Sequence, residues 1–421
     1  MKQKIVYVCS NCGNEFLKWS GKCDSCNSWN TLKGIKEDAD RSQNEVKAAD
    51  FIRIKDVKTA ANQRIKSNVS EFDSVLGGGI VRGSVLLLGG QPGIGKSTLI
   101  WQVVNSTDMK VAYIAAEESP EQIKIRSSRI GKENNNVYLI SSPEINSAMM
   151  AIKKISPELV VVDSVQTIYD SSYPSIAGSI IQVKQCAMKI MNFAKRSNIA
   201  FIIIGHVTKE GEVAGPKTLE HLVDGVFYLE GVADIPERFL RSQKNRFGPS
   251  EELGVFKMTQ KGFSGEEDFG QKRLGGKLPS GIAVAAVNEG NRVYFIEVQA
   301  LTQKTYFGYP RRNSVGYDLN RLNMIIAIIS RSLKIDLSNH DVYLNVAQGY
   351  KIKDPSADLA VAAAIVGAYK NKPLSGKSIY IGELDLAGRV NEVINQNQKI
   401  KAAKKIGAVP IILKDLGSIG F

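Results

Sequence analysis

The chain has 421 residues, with 55 Lys and Arg against 42 Asp and Glu, a formal charge of +13. That length exceeds one ordinary core and implies two or three domains, and the cationic surplus favours a polyanionic partner, nucleic acid before membrane. No apolar run approaches the ~20 residues that cross a bilayer. The first residues, MKQKIVYVCSNC, lack the apolar stretch of a signal peptide, so a cytoplasmic location with reduced thiols is expected.

Cys9, Cys12, Cys23 and Cys26 form C-x2-C-x10-C-x2-C. Each C-x2-C is a tight turn that aims two thiolates at one point, and two such turns complete a tetrahedral zinc site. Disulfides are the alternative, which a reducing compartment disfavours. Four protein ligands leave no position for a water, so this zinc is structural, and a module spanning residues 1–34 can hardly fold without it. Cys186 stands alone in a helical stretch and reads as a core thiol. Residues 35–66 are polar and charged and read as a linker.

Residues 67–270 carry the pattern of an α/β core. A glycine-rich lead-in, 72–83, precedes an apolar strand at 84–88. Next comes Gly90-Gln91-Pro92-Gly93-Ile94-Gly95-Lys96-Ser97, which fits G-x-x-x-x-G-K-[ST] at every position. Such a loop closes its backbone N–H groups around phosphate oxygens, at the positive end of the helix that Ser97 and Thr98 begin. Lys96 supplies a cation to the β- and γ-phosphates of ATP, and Ser97 Oγ a ligand to Mg²⁺.

Two further apolar strands deliver carboxylates. Residues 159–163 end in Asp163, placed to hold Mg²⁺ and its waters, and residues 111–116 lead to Glu117 and Glu118. In an open parallel sheet the strand C-termini face the ligand crevice. One of these glutamates is placed to polarise the attacking water; the alternative is that both cap the following helix. A strand at 199–204 precedes Gly205-His206-Val207-Thr208-Lys209-Glu210, which puts His206 and Thr208 at the same edge as sensors of the γ-phosphate, or His206 as a structural hydrogen-bonding residue. With helices after the P-loop and at 179–196, these strands imply a doubly wound, mostly parallel sheet. The basic stretch 238–248 carries Arg238, Arg241, Lys244 and Arg246 near aromatic residues. It reads as a phosphate grip, a contact with a neighbouring subunit's nucleotide, or a solvated face.

A cysteine ribbon, a P-loop core and the string Lys244-Asn245-Arg246-Phe247-Gly248 together resemble the bacterial RadA/Sms family of recombination and repair proteins. Gly205-His206-Val207-Thr208-Lys209-Glu210-Gly211 matches as well, and the resemblance covers essentially the whole chain. It implies a RecA-like core and a hexameric ATP-driven motor. That motor would load on single-stranded DNA, drive branch migration of recombination intermediates and work beside a RecA-type recombinase. It also implies that Lys244 and Arg246 contact DNA or a neighbouring subunit, and that Glu117, rather than Glu118, activates water. A RecA-type filament shares the core but lacks the ribbon, and ring and filament both use head-to-tail interfaces.

Residues 271–421 have their own α+β pattern, with a strand at 292–299 and a helix at 318–333. The stretches 354–364 and 382–390 resemble the proteolytic domain of Lon proteases, which raises a rival reading as an ATP-dependent protease. Set against that pattern, the lysine position of the Ser–Lys dyad falls on Asn397, and Lys399 lies two residues on, on another face of a helix. Ser356 is followed by Ala357-Asp358 where Lon proteases carry Ala-Gly. The domain is therefore expected to be a proteolytically inactive scaffold for ring assembly and DNA contact. The chain stops soon after the apolar stretch 409–413, where related proteins usually add one short element.

The purified protein is expected to carry about one Zn²⁺ per chain in a tetrahedral thiolate site. Cys9→Ser or Cys26→Ser should unfold the ribbon and leave the P-loop core folded. Metal analysis returning no zinc from a folded preparation would sink this reading.

Overall fold

The computed structural model describes residues 5–9, 14–36, 53–56, 64–130, 134–173, 175–206, 219–232, 235–266, 269, 275–305 and 308–419. Most of the expected linker, Cys12 and residues 207–211 of the Gly205–Gly211 phrase lie outside them. The chain divides into two compact units, Met1–Glu230 with Phe239–Gly265, and Gly231–Arg238 with Glu266–Phe421.

The first unit opens with β1 (Ile5–Cys9), β2 (Glu15–Phe16) and β3 (Leu32–Lys36), an antiparallel sheet in the order β2-β1-β3. Buried Cys9, Cys23 and Leu32, backed by Tyr7 and Phe16, make up its core among the described residues. An apolar cluster this small does not offset the entropy of ordering the chain, and so the metal is needed.

After β4 (Arg64–Ile65), α1 (Ser70–Val75) and β5 (Ile80–Val81), strands and helices alternate. They run β6 (Val85–Gly90), α2 (Lys96–Ser106), β7 (Val111–Ala115), α3 (Pro120–Ile130), β8 (Val137–Ile140), α4 (Ile145–Ile155), β9 (Leu159–Asp163), α5 (Ile180–Ser197), β10 (Ala200–Ile204) and β11 (Gly225–Glu230). These strands pair in parallel in the order β8-β7-β9-β10-β6-β11. Every residue of β6, β7, β9 and β10 is buried, as expected of parallel strands with helices on both faces. Side chains alternate between the two faces. Leu86 and Leu88 join a layer with α2 and α3, whereas Val85 and Leu87 join a second layer with α4 and α5. Ser179 caps α5 by accepting from Gln182 N, and Asn198 ends it in the left-handed conformation.

The basic stretch is not a surface loop. It forms β12 (Glu237–Asn245), antiparallel to β11, and the sheet continues through β13 (Leu253–Thr259) and β14 (Gly262–Gly265).

The second unit is α+β. Its main sheet joins β16 (Ile282–Glu289), β17 (Arg292–Lys304), β18 (Arg312–Val315), β19 (His340–Val346), β21 (Ser378–Tyr380) and β24 (Val409–Ile411) in the order β18-β19-β17-β16-β21-β24. Short pairs join β15 (Lys277–Ser280) to β20 (Pro373–Ser375) and β22 (Glu383–Leu384) to β23 (Val390–Asn391). Three helices complete it: α6 (Leu319–Leu333), α7 (Asp358–Tyr369) and α8 (Gln396–Lys405). Asp318 caps α6 by accepting from Arg321 N at 2.8 Å. Asp358, at the start of the buried α7, takes the Tyr317 hydroxyl at 2.6 Å and the Leu384 N–H at 3.0 Å beside the Arg321 guanidinium.

Lys399 does not stand on an outward helix face. It is buried, with Nζ 2.8 Å from Asp354 Oδ2 and donating to Ile394 O at 3.2 Å. Ser356 is equally buried, and its Oγ donates to Ala286 O at 2.9 Å. Ser356 Oγ and Lys399 Nζ thus each have another partner. Among the described residues no helix is long and apolar enough to cross a membrane.

Candidate functional site

Gly90 ends β6 and turns the chain into the P-loop. A Cβ on Gly90 would lie 2.6 Å from Leu229 O, and Gly93 holds φ +75° with open space above it, a conformation in which an L side chain is strained. Gln91, Pro92 and Gly93 are exposed and Ile94 is buried, which pins one side of the loop while its crest faces solvent. α2 starts at Lys96, one residue earlier than expected, with Gly95 left-handed before it. Ser97 and Thr98 fall in its first turn, where the N–H groups have no intrahelical acceptor. The loop therefore presents bare donors and the helix dipole to an anion.

Lys96 is 3% exposed. Its Nζ donates to Gly90 O and Gln91 O, both at 2.9 Å, and lies 3.1 Å from His206 Nδ1. Burial lowers its pKa to about 8, against the pull of Asp163 and Glu117. An ammonium only donates, so Nδ1 accepts and the imidazole carries its proton on Nε2. That nitrogen is 3.3 Å from Glu117 Oε1, which also accepts from Ser164 Oγ. His206 thereby links the lysine to the glutamate. Thr208, the other sensor candidate, lies outside the described residues.

The two glutamates differ in their surroundings. Glu117 is held below the usual carboxylate range, first by its hydrogen bond with His206, then by Ser164 and by the charge of Lys96, against desolvation. Glu118 is pushed upward by desolvation and by the charges of Asp163 and Glu117, against its partner Arg126 at 2.9 Å. Only Glu117 stays ionised without a cation bound to it as a salt-bridge partner on α3.

Asp163 is buried, and its Oδ2 accepts from the Tyr113 hydroxyl at 2.5 Å. Its Oδ1 has no hydrogen-bond partner. A buried carboxylate oxygen left bare beside a phosphate loop fits a hydrated Mg²⁺, a hard cation that takes oxygen ligands. Tyr113 was not singled out from the sequence, because a tyrosine inside an apolar strand reads as core. Trp101 on α2 packs edge-on to its ring at 5.1 Å.

Most of the basic stretch is committed internally. Arg238 is buried and donates to the Val232 and Glu237 carbonyls at 3.2 and 2.9 Å. Arg241 lies 3.7 Å from Glu230. Lys244 Nζ donates to Glu220 O and Val223 O at 2.7 and 2.9 Å. Asn245 Nδ2 donates to Leu76 O at 3.2 Å, its Oδ1 accepts from Phe247 N at 3.1 Å, and Gly248 lies against Gly77. What the string exposes is the ring of Phe247 and the guanidinium of Arg246, which is 52% exposed and 3.6 Å from Asp224 Oδ1.

In the ribbon, the sulfurs of Cys9, Cys23 and Cys26 lie within 4.8 Å of one another, and Cys9 Sγ is 3.7 Å from Cys26 Sγ. Thiolates about 2.3 Å from a tetrahedral zinc sit about 3.8 Å apart, so the pair fits that ion. Cys12 lies outside the described residues.

Three family profiles match the chain: the rubredoxin metal binding domain over 7–34, the AAA domain over 48–212, and subunit ChlI of Mg-chelatase over 313–415. The chain is 40% identical to the DNA repair protein RadA of Campylobacter jejuni over 412 residues, 96% of this chain and 92% of that one. It is 40% identical to RadA of Listeria monocytogenes over 417 residues (96% and 91%) and 39% identical to RadA of Bacillus subtilis over 428 (98% and 93%). Among solved structures, a KaiC-like protein from Pyrococcus horikoshii is similar at 16% identity and TM-score 0.40, over 48% of this chain and 98% of that one. The P-loop takes ATP and Mg²⁺, and the ribbon takes Zn²⁺.

Because the Lys96 pKa is lowered to about 8, the cation is present below that pH and lost above it. ATP phosphates favour the charged form, so ATP affinity should be highest below about 8 and fall above it by at most about tenfold per pH unit. Calorimetric titrations from about pH 7 to 9.5 read this slope. Lys96→Ala should bind weakly with no such slope. An unchanged slope in that variant would show that another group titrates.

Proposed function

The chain belongs to the RadA/Sms family of bacterial DNA repair proteins, and from that premise we propose that it is an ATP-driven motor on single-stranded and branched DNA in recombination and repair. The observation that carries this reading is the hydrogen-bonded line from Lys96 through His206 to Glu117 at the mouth of the P-loop. In it the cation for the phosphates and the carboxylate for the water are joined by one side chain.

When ATP enters, the phosphates compete with Gly90 O, Gln91 O and His206 for the Lys96 ammonium. Mg²⁺, held through Ser97 and Asp163, would offset the charge on the β- and γ-phosphates. Tyr113 holds Asp163 Oδ2, which leaves Oδ1 for that ion's shell. Glu117, ionised at neutral pH, accepts a hydrogen bond from the attacking water and orients it. His206, released by Lys96, remains beside Glu117 and senses whether a phosphate holds the lysine. A ring of six subunits, a RecA-type recombinase partner and a cytoplasmic location follow from the family resemblance. The second unit serves as scaffold, since Ser356 and Lys399 are engaged elsewhere.

Glu117→Gln should keep ATP binding and lose turnover by about 10²–10⁴-fold, while Glu118→Gln should hydrolyse ATP within a few-fold of the parent. A single-turnover assay separates the two, and the reverse pattern would overturn the assignment.

The Lys244–Gly248 string yields a contrast of its own. Arg246→Ala should leave the fold intact and lower the slope of log K against log [salt] on single strands by about 0.7 if it grips a phosphate. If it reaches a neighbouring subunit's ATP, the slope stays and the DNA-stimulated hydrolysis rate falls. Lys244→Ala should instead cost about 1–3 kcal/mol of stability, because it strips backbone carbonyls of their charged donor. Normal salt slope, hydrolysis and unwinding in Arg246→Ala would reduce the string to a surface.

A further inference from the structure

The ribbon holds more aromatic surface than its own core uses. Tyr7 and Phe16 pack against the cysteines, whereas Trp19 and Trp29 stand 59% and 70% exposed and Leu17 stands 75% exposed. An indole buries more apolar area than almost any other side chain, so two left in water on one small module call for an occupant.

The two rings are neighbours. A Cβ on Gly21 would lie 3.9 Å from a ring atom of Trp29 and 4.0 Å from one of Trp19. Gly21 therefore lies between the two rings, within van der Waals reach of both. Lys22 pairs with Trp29 across an antiparallel bridge, and its Nζ lies 5.9 Å from that ring's centroid. Lys18 is exposed next to Trp19 in the chain. The segments 17–22 and 27–31, which carry both rings, contain these two lysines, and the turn between them carries one exposed carboxylate, Asp24.

We propose that Trp19 and Trp29 form a stacking platform for the bases of single-stranded DNA, with Lys18 and Lys22 facing its phosphates. Every base has a π-face, so flat indoles beside cations bind single strands without sequence preference. A duplex keeps its bases stacked on one another and offers no such face. The platform rests on the DNA-motor reading and adds to it a second contact, separate from the P-loop core. An acidic peptide would also meet the lysines, but it would have no planar groups for the rings.

The protein carries its own reporter. Of its three tryptophans, Trp101 is 4% exposed, so a change in indole emission on binding reports Trp19 and Trp29. Full-length, zinc-loaded protein is titrated with unlabelled oligo(dT), following tryptophan emission, and with a labelled oligo(dT), following anisotropy. Emission should be quenched along the same binding curve. Trp19→Ala and Trp29→Ala should each weaken affinity about tenfold, and the Trp19→Phe/Trp29→Phe protein should recover most of it, with zinc content unchanged throughout. ATPase activity without DNA should stay at the parent level in all variants. Binding by anisotropy with no quenching and no loss in the alanine variants would overturn the platform and leave the motor reading standing. Failure of the parent protein to bind at all would overturn both. If the alanine variants lose zinc, quenching of the parent and recovery in the phenylalanine protein decide the matter.

Discussion

A lysine ammonium withdrawn from water dictates how the nucleotide site is arranged. A charge that is 3% exposed must be surrounded by acceptors, and the chain supplies them from two directions: carbonyls of the loop that carries it, and an imidazole at the end of β10. Meeting that demand brings β6 and β10 into parallel contact with their C-termini level. β9, on the other side of β10, then delivers Asp163 to the same edge, and β7 delivers Glu117. The buried lysine thus lies where four strand ends converge.

Much of this was legible in the sequence because parallel strands buried on both faces are written as unbroken apolar runs. Residues 159–163 were bounded to the residue, and the strands ending near Glu117 and His206 to within one. What local pattern did not carry was partnership across the chain. Glu117 and Glu118 are adjacent and chemically equal until Arg126, on the following helix, takes one of them. The basic stretch hid its internal partners for the same reason. Its cations suggested a surface, yet β12 turns Arg238 inward onto backbone carbonyls, and Lys244 covers the turn at residues 220–223. A count of charges says nothing of which ones find acceptors inside. In α8 the helical spacing separated Asn397 from Lys399 correctly, but only packing reveals that the face bearing Lys399 is the buried one.

The second unit adds two ion pairs with buried members to its apolar core. Arg321 with Asp358 ties one helix to the start of another, and Lys399 with Asp354 ties a helix to a loop far along the chain. Such pairs add little net stability over apolar substitutes, because desolvation cancels most of the attraction. Their effect is selective: a misregistered helix would leave a bare charge inside. Asp354 shows the balance, since burial alone would raise its pKa, whereas Lys399 and the N–H groups of Asn288 and Ser356 hold it down. Ser356 and Lys399 are thus both held by contacts within the unit.

Strand β7 has one further consequence. Tyr113, whose hydroxyl donates to Asp163, and Glu117, which meets His206, lie four residues apart on one short strand and its exit. Tyr113 stands in the middle of the strand and Glu117 in the bend just past its end, so one short element and its exit place both. A displacement of the end of β7 would shift the Tyr113 hydroxyl and the Glu117 carboxylate together. Changes at Ile114 or Ala115 between them would alter both contacts at once, and their effects would be non-additive with changes at either end.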